Sequence, residues 1–112
     1  MNAVKEIKPF DLIELMADSP DNFVIIDVRE EDEYRGDLGH IPGSKHIPLS
    51  GFLQHLDELE QYKGRNLVFI CNSGERSRAV CQHLKEIGYP NLFNLYGGMI
   101  QWHLSGLDVE YE

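Results

Sequence analysis

The chain lacks several features that would assign a class at once. It has two cysteines in 112 residues, which do not make a disulfide framework; thiols left free suit a reducing compartment. No apolar run approaches the length of a membrane span. The opening Met1-Asn2-Ala3-Val4-Lys5-Glu6 has no basic-then-apolar build of a signal peptide, so a soluble, cytoplasmic protein is expected. Positive charge is scarce: ten Lys and Arg against nineteen Asp and Glu give a net charge of −9. Phosphate backbones and anionic membrane surfaces are bound by clustered Lys and Arg, so neither nucleic acid nor a membrane is an expected direct partner, and the acidic balance is read as a solubility device. The five histidines, His40, His46, His55, His83 and His103, show no metal-ligand spacing; no metal and no other cofactor is expected.

What is present is an alternation. Phe23-Val24-Ile25-Ile26 and Leu67-Val68-Phe69-Ile70 are continuous apolar runs of the kind found in strands buried on both faces. Lys5–Ile7, Lys45–Ile47 and Leu92–Leu95 read as three shorter strands. Between them lie helical patterns. One opens at Pro9, runs through Leu12, Ile13 and Met16, and breaks at Ser19-Pro20-Asp21-Asn22. A short one covers Glu30–Tyr34, and another carries Phe52, Leu53, Leu56 and Leu59 before Lys63-Gly64 ends it. A further helix runs from Arg76 or Ser77 to Ile87, stopped by Gly88, and Gly97-Gly98 turns into a final short helix bearing Met99 and Trp102. This order predicts an α/β fold of three layers, a mainly parallel five-stranded sheet covered by helices on both faces, in one domain spanning residues 1–112 with no internal repeat or linker.

Cys71 is the chemically informative residue. It closes a buried strand and opens Asn72-Ser73-Gly74-Glu75-Arg76-Ser77, so a strand delivers a thiol to the mouth of a helix, outside the carboxyl ends of the strands where such sheets bind ligands. Unpaired N–H groups and the positive end of a helix favour thiolate over thiol, and each unit of lowered pKa corresponds to roughly 1.4 kcal/mol. A free cysteine is often a small apolar filler, but here Gly74 and Arg76 follow at the offsets of an anion cradle. Gly74 can curl the chain so that its N–H groups point inward. Arg76 can close the ring over an anion or tie down loop carbonyls, and Ser77 is expected to cap the following helix. Four residues separate Cys71 from Arg76, whereas cysteine phosphatases use a Cys-x5-Arg loop. The smaller bowl suits one terminal sulfur on Cys71 better than a phosphoryl group.

The chain resembles single-domain rhodaneses, a sulfurtransferase-like family, over nearly its whole length. The matching segments are Ile26-Asp27-Val28-Arg29 with Glu33-Tyr34, Gly39-His40-Ile41-Pro42-Gly43-Ser44 with His46-Ile47-Pro48, Cys71 to Ser77, and Leu95-Tyr96-Gly97-Gly98-Met99 with Trp102, in the family's order and spacing. The linker Arg35-Gly36-Asp37-Leu38 is slightly longer than the shortest family versions. The resemblance implies that Cys71 takes a sulfane sulfur from thiosulfate or a persulfide, becomes a persulfide, and hands the outer sulfur to a thiophilic acceptor. Asn72, Ser73, Gly74, Glu75 and Arg76 would form the substrate cradle, and the partners would be a small sulfur donor and acceptor or a sulfur-relay protein. Family members efficient on thiosulfate often carry added positive charge around this loop. Here Asn72 is neutral and Glu75, expected inside the bowl, offsets Arg76, so the expected donor is a protein or low-molecular-weight persulfide. A rival of another class is a persulfide carrier or binding module with negligible turnover alone, and a phosphatase or arsenate reductase is a third reading that the short loop disfavours.

Four secondary features complete the pattern. Asp27, Arg29 and Glu33 are read as a structural ion-pair network, with Asp27 as a proton donor near Cys71 the minority view. His40 is expected to satisfy backbone groups in its turn-rich stretch. Cys81 shares an apolar stripe with Val80, Leu84 and Ile87 and is expected to pack in the core rather than to act as a resolving thiol. Tyr96-Gly97-Gly98 and Trp102 are read as packing, the glycines allowing backbone to approach near the bowl.

Overall fold

The computed structural model describes residues 4–111. Its five strands are β1 (Lys5–Ile7), β2 (Phe23–Asp27), β3 (Lys45–His46), β4 (Asn66–Ile70) and β5 (Leu92–Leu95), paired side by side in the order β1-β5-β4-β2-β3. Every pairing is parallel. The helices are α1 (Pro9–Asp18), α2 (Glu31–Tyr34), α3 (Leu56–Glu60), α4 (Glu75–Glu86) and α5 (Gly98–Leu104).

The two apolar runs form the middle of the sheet, and their alternating side chains supply both layers of core. Val24 and Ile26 of β2 and Leu67 and Phe69 of β4 face one side, where they pack with Leu59 of α3 and Val80, Cys81 and Leu84 of α4. Ile25, Val68 and Ile70 face the other side with Leu12 of α1 and Met99 and Trp102 of α5. The edge strands β1 and β3 are only three and two residues long, which limits the unpaired backbone offered to another chain.

Most element boundaries match expectation within a residue, and the departures have local causes. Helix α4 begins at Glu75 because Gly74 occupies the N-cap with φ of 99°, a left-handed conformation that costs glycine little. Ser77 is therefore not the cap. The segment expected as one helix from Phe52 starts as a tight 3-10 turn, Phe52–His55, and becomes α-helical only at Leu56. Helix α2 starts at Glu31, with Glu30 as its cap: the Glu30 and Glu33 side chains each take a backbone N–H of the other's residue. Near the C-terminal end, His40 and Glu110 form an isolated antiparallel bridge.

The topology fixes where a ligand can sit. From β2 the chain leaves toward β3, and from the adjacent β4 it leaves toward β5, in the opposite direction along the sheet. Crevices of open α/β sheets lie at such a reversal, outside the carboxyl ends of the strands. Asp27 at the end of β2 is in register with Ile70 at the end of β4, so Arg29 and Cys71 emerge side by side.

Candidate active site

The loop after β4 is shaped by what holds its carbonyls. Those of Cys71 and Asn72 accept hydrogen bonds from the Met99 and Ile100 N–H groups, at 2.9 and 3.0 Å, in the first turn of α5, where a helix has N–H groups without internal partners. With the carbonyls drawn outward, the loop's amides turn inward. The Gly74 N–H donates to Cys71 Sγ at 3.1 Å, the Ser77 N–H at 3.4 Å and the Ser77 hydroxyl at 3.3 Å. The close approach of α5 depends on Gly98, at φ of 59°, where a Cβ would lie 2.4 Å from the Cys71 carbonyl oxygen and 2.5 Å from the Asn72 carbonyl.

Burial of Cys71, the largest influence on its thiol, opposes ionisation, but the Ser77 hydroxyl and the N–H groups of Ser77, Gly74 and Ser73 together outweigh it and hold the pKa below the ordinary cysteine value. The side chain has no exposed surface. Cys81 is equally buried, but only its own thiol donates, at 3.6 Å to the Phe93 carbonyl. Burial pushes its pKa up to about 12. It packs in the core, as expected.

Arg76 does not tie down the loop carbonyls, one of the two roles expected of it. Its guanidinium makes a two-pronged ion pair with Glu33 of α2, both bonds 2.8 Å, while α5 ties the loop carbonyls. Hydrogen bonding to Arg76 is the main reason that the Glu33 carboxyl is held down to about 2, against a burial effect in the opposite sense. Glu75, expected inside the bowl, is exposed on the first turn of α4, so the carboxylate that offsets Arg76 is Glu33. The Asn72 side chain works sideways: Nδ2 donates to Glu33 at 2.9 Å and Oδ1 accepts from Arg29 at 3.2 Å.

Arg29 is wholly buried and fully engaged. It pairs with Asp27 at 2.9 Å and donates to the carbonyls of Gly39 (2.7 Å) and Glu33 (3.1 Å). It reaches the backbone of Glu33 rather than its carboxylate. Asp27 is held by the guanidinium and the backbone N–H of Arg29. The network therefore runs from Asp27 through Arg29, Asn72 and Glu33 to Arg76, and braces the loop across the crevice between β2 and β4. His40 bonds the Tyr34 carbonyl at 3.0 Å, in keeping with its expected role, and the Tyr34 ring stacks between His40 and His46, with centroids 3.9 and 4.2 Å away.

A cleft of about 200 Å³ opens beside the loop, lined by Arg29, Asn72, Leu38 and Gly36 with the acidic Asp32, Glu33 and Asp37. Among the described residues, no three His, Cys, Asp or Glu side chains are grouped to hold a metal ion, and no helix is long and apolar enough to cross a membrane.

Two participants escaped the sequence reading. Ser77 is an inward donor to the sulfur, and Asn94, fully buried on β5, meets the same hydroxyl. The available signal was an amide between Phe93 and Leu95 in an otherwise apolar strand, since buried amides need partners.

An α/β domain with a sulfur set in a ring of amides at the switch point of its sheet defines the class. A family model described as rhodanese-like domain matches residues 9–105, and the chain belongs to that family. It is 36% identical over 99 residues to the putative sulfurtransferase YtwF of Bacillus subtilis, covering 88% of this chain and 90% of that one. It is 33% identical over 106 residues to a sulfurtransferase of Allochromatium vinosum, covering 95% and 94%. Among solved structures, a rhodanese-related protein of Thermoplasma volcanium superposes with a TM-score of 0.81 at 29% identity, over 96% of this chain and 99% of that one. Other relatives are longer: the chain spans 44% of the putative sulfur carrier protein YrkF of Bacillus subtilis, at 36% identity, and 19% of the adenylyltransferase and sulfurtransferase uba4 of Ogataea parapolymorpha, at 38%.

Proposed function

We propose that the protein is a sulfurtransferase that moves a sulfane sulfur from a persulfide donor to a thiophilic acceptor through a persulfide on Cys71. The observation that carries this reading is the ring of donors on Cys71 Sγ in a loop with four residues between cysteine and arginine. The Cys71 thiolate attacks the outer sulfur of R–S–SH, the S–S bond of the donor breaks, and R–S⁻ leaves with the electron pair and takes a proton. Cys71 then carries S–SH, which ionises. An acceptor thiolate attacks that outer sulfur and regenerates the Cys71 thiolate, so sulfur changes hands with no net oxidation. The loop amides favour the anionic forms along this path.

Charge supports a persulfide over thiosulfate as donor. The loop's only guanidinium is neutralised by Glu33, and the adjacent cleft adds Asp32 and Asp37. Among the described residues, a doubly charged donor meets no free cation there. The relatives named a putative sulfur carrier protein and an adenylyltransferase and sulfurtransferase favour a relay in which a protein supplies or receives the sulfur.

Intact mass after exposure to glutathione persulfide and, separately, to thiosulfate tests the reading. Wild type should gain one sulfur atom from the persulfide and Cys71→Ser none; absence of the adduct from the wild type overturns it. Repeated turnover with a small thiol or cyanide as acceptor marks an enzyme. An adduct without turnover marks the alternative, a persulfide carrier that works only with its partner.

A further inference from the structure

The Ser77 hydroxyl has one proton and two acceptors. It lies 3.3 Å from Cys71 Sγ and also within hydrogen-bond reach of Asn94 Oδ1. Ser77 and Asn94 are both fully buried, so no bulk water intervenes to serve either acceptor. The direction of the Asn94 amide follows from its other neighbours. Its nitrogen lies 3.0 and 3.2 Å from the two Glu6 carboxylate oxygens and 3.0 Å from the Gly74 carbonyl oxygen. An ionised carboxylate and a carbonyl can only accept, so Nδ2 faces them and Oδ1 faces Ser77. Glu6 is itself held by Arg78 of α4 at 2.7 Å.

We propose that Asn94 is a positioning residue that turns the Ser77 hydroxyl into a two-position switch, donating to Cys71 Sγ when that sulfur is an anion and to Asn94 Oδ1 when it is not, with Glu6 fixing the polarity of the switch from the surface. The proposal rests on Cys71 as the sulfur-bearing nucleophile. In the thiol, S–H donates to Ser77 Oγ, which donates to Asn94. In the thiolate, the hydroxyl turns to the sulfur and Asn94 Oδ1 loses its donor. In the persulfide the charge lies on the outer sulfur, the inner sulfur is a weak acceptor, and the hydroxyl returns to Asn94. The thiol proton leaves the site when Cys71 ionises; no proton passes between Ser77 and Asn94, where only the hydroxyl rotates. Asn94 thus competes with the resting thiolate and supports the loaded state, which narrows the gap between the two forms that alternate during turnover.

The sign of the test is opposite to that of a merely structural role. Removing Asn94 gives the hydroxyl wholly to the sulfur, so Asn94→Leu should lower the pH midpoint of Cys71 ionisation, by about half to one unit if one hydrogen bond is at stake. Ser77→Ala should raise it, and in the Ser77→Ala background Asn94→Leu should add nothing. The midpoint is read on the intact protein from thiolate absorbance and from the pH dependence of carbamidomethylation at Cys71, followed by mass. Glu6→Met, at the half-exposed end of the relay, leaves Asn94 in place and should give a smaller downward shift that also disappears without Ser77. It decides the matter if Asn94→Leu does not fold. An unshifted midpoint, or one shifted equally with and without Ser77, overturns the proposal. Titration uses no sulfur donor, so its outcome is separate from that of the adduct measurement.

Discussion

Cys71 and Cys81 lie ten positions apart and pack in the same apolar cluster, and neither has exposed surface. Their thiols nevertheless move in opposite directions, Cys71 down and Cys81 up to about 12. Burial acts on both in the same sense. The difference is the company of donors: the Cys71 sulfur is met by loop amides and a hydroxyl, whereas the Cys81 sulfur itself gives a bond to a carbonyl. The difference comes from where a strand ends. The cysteine one residue past β4 meets a turning backbone with N–H groups to give, and the cysteine within α4 meets a backbone whose N–H groups are already paired along the helix.

Breaking the loop should abolish the contrast most completely. Gly98→Ala places a methyl against the backbone of Cys71 and Asn72, where no side chain can give way, in a left-handed conformation. We expect a loss of roughly 3–5 kcal/mol in denaturant unfolding and, in any folded fraction, a Cys71 that ionises near the ordinary cysteine value. A milder cut is Ser77→Ala, which leaves the backbone in place. It should raise the Cys71 midpoint by about one unit or less with a change in Tm of a few degrees at most, as followed by the same titration. Carbamidomethylation of native protein near neutral pH should modify Cys71 and leave Cys81 intact until the chain unfolds; mass mapping of Cys81 modification at a comparable rate would erase the distinction.

The charge around the pair is tested by Glu33→Gln. It frees Arg76, so kcat/KM with thiosulfate should rise several-fold while that with glutathione persulfide stays within about twofold; an unchanged ratio removes charge as the basis of donor choice. The same variant has a pH signature. The Glu33 pKa is lowered on folding, from 4.5 to about 2, so its contribution to stability is fully present above pH 4.5 and fades as the pH falls toward 2. The Tm gap between wild type and variant should close over that window. Because the Arg76–Glu33 pair is partly exposed, the gap itself is small.

Much of this contrast was legible in the residues. The apolar runs of β2 and β4 announced a buried parallel sheet, and Cys71 three positions before Gly74 announced a sulfur in a curled loop, because both signals are local. Cys81 was placed in the core by its helical stripe. What failed were contacts between segments far apart in sequence. Arg76 stands next to Glu75, but meets Glu33 from 43 positions away. Ser77 has the composition of a cap, but Gly74 already holds that position, and Asn94 reaches it from another strand. Local propensity describes which groups a residue can satisfy, and only the packed fold decides which of them arrive.

The amides of Met99 and Ile100 are fastened to the carbonyls of the cysteine loop, and the Cys71 side chain has no exposed surface. Any excursion that uncovers the thiol by lifting those carbonyls must also release these two protons. Their deuterium uptake is therefore a built-in gauge of how often the site opens, readable in the unmodified protein at rest.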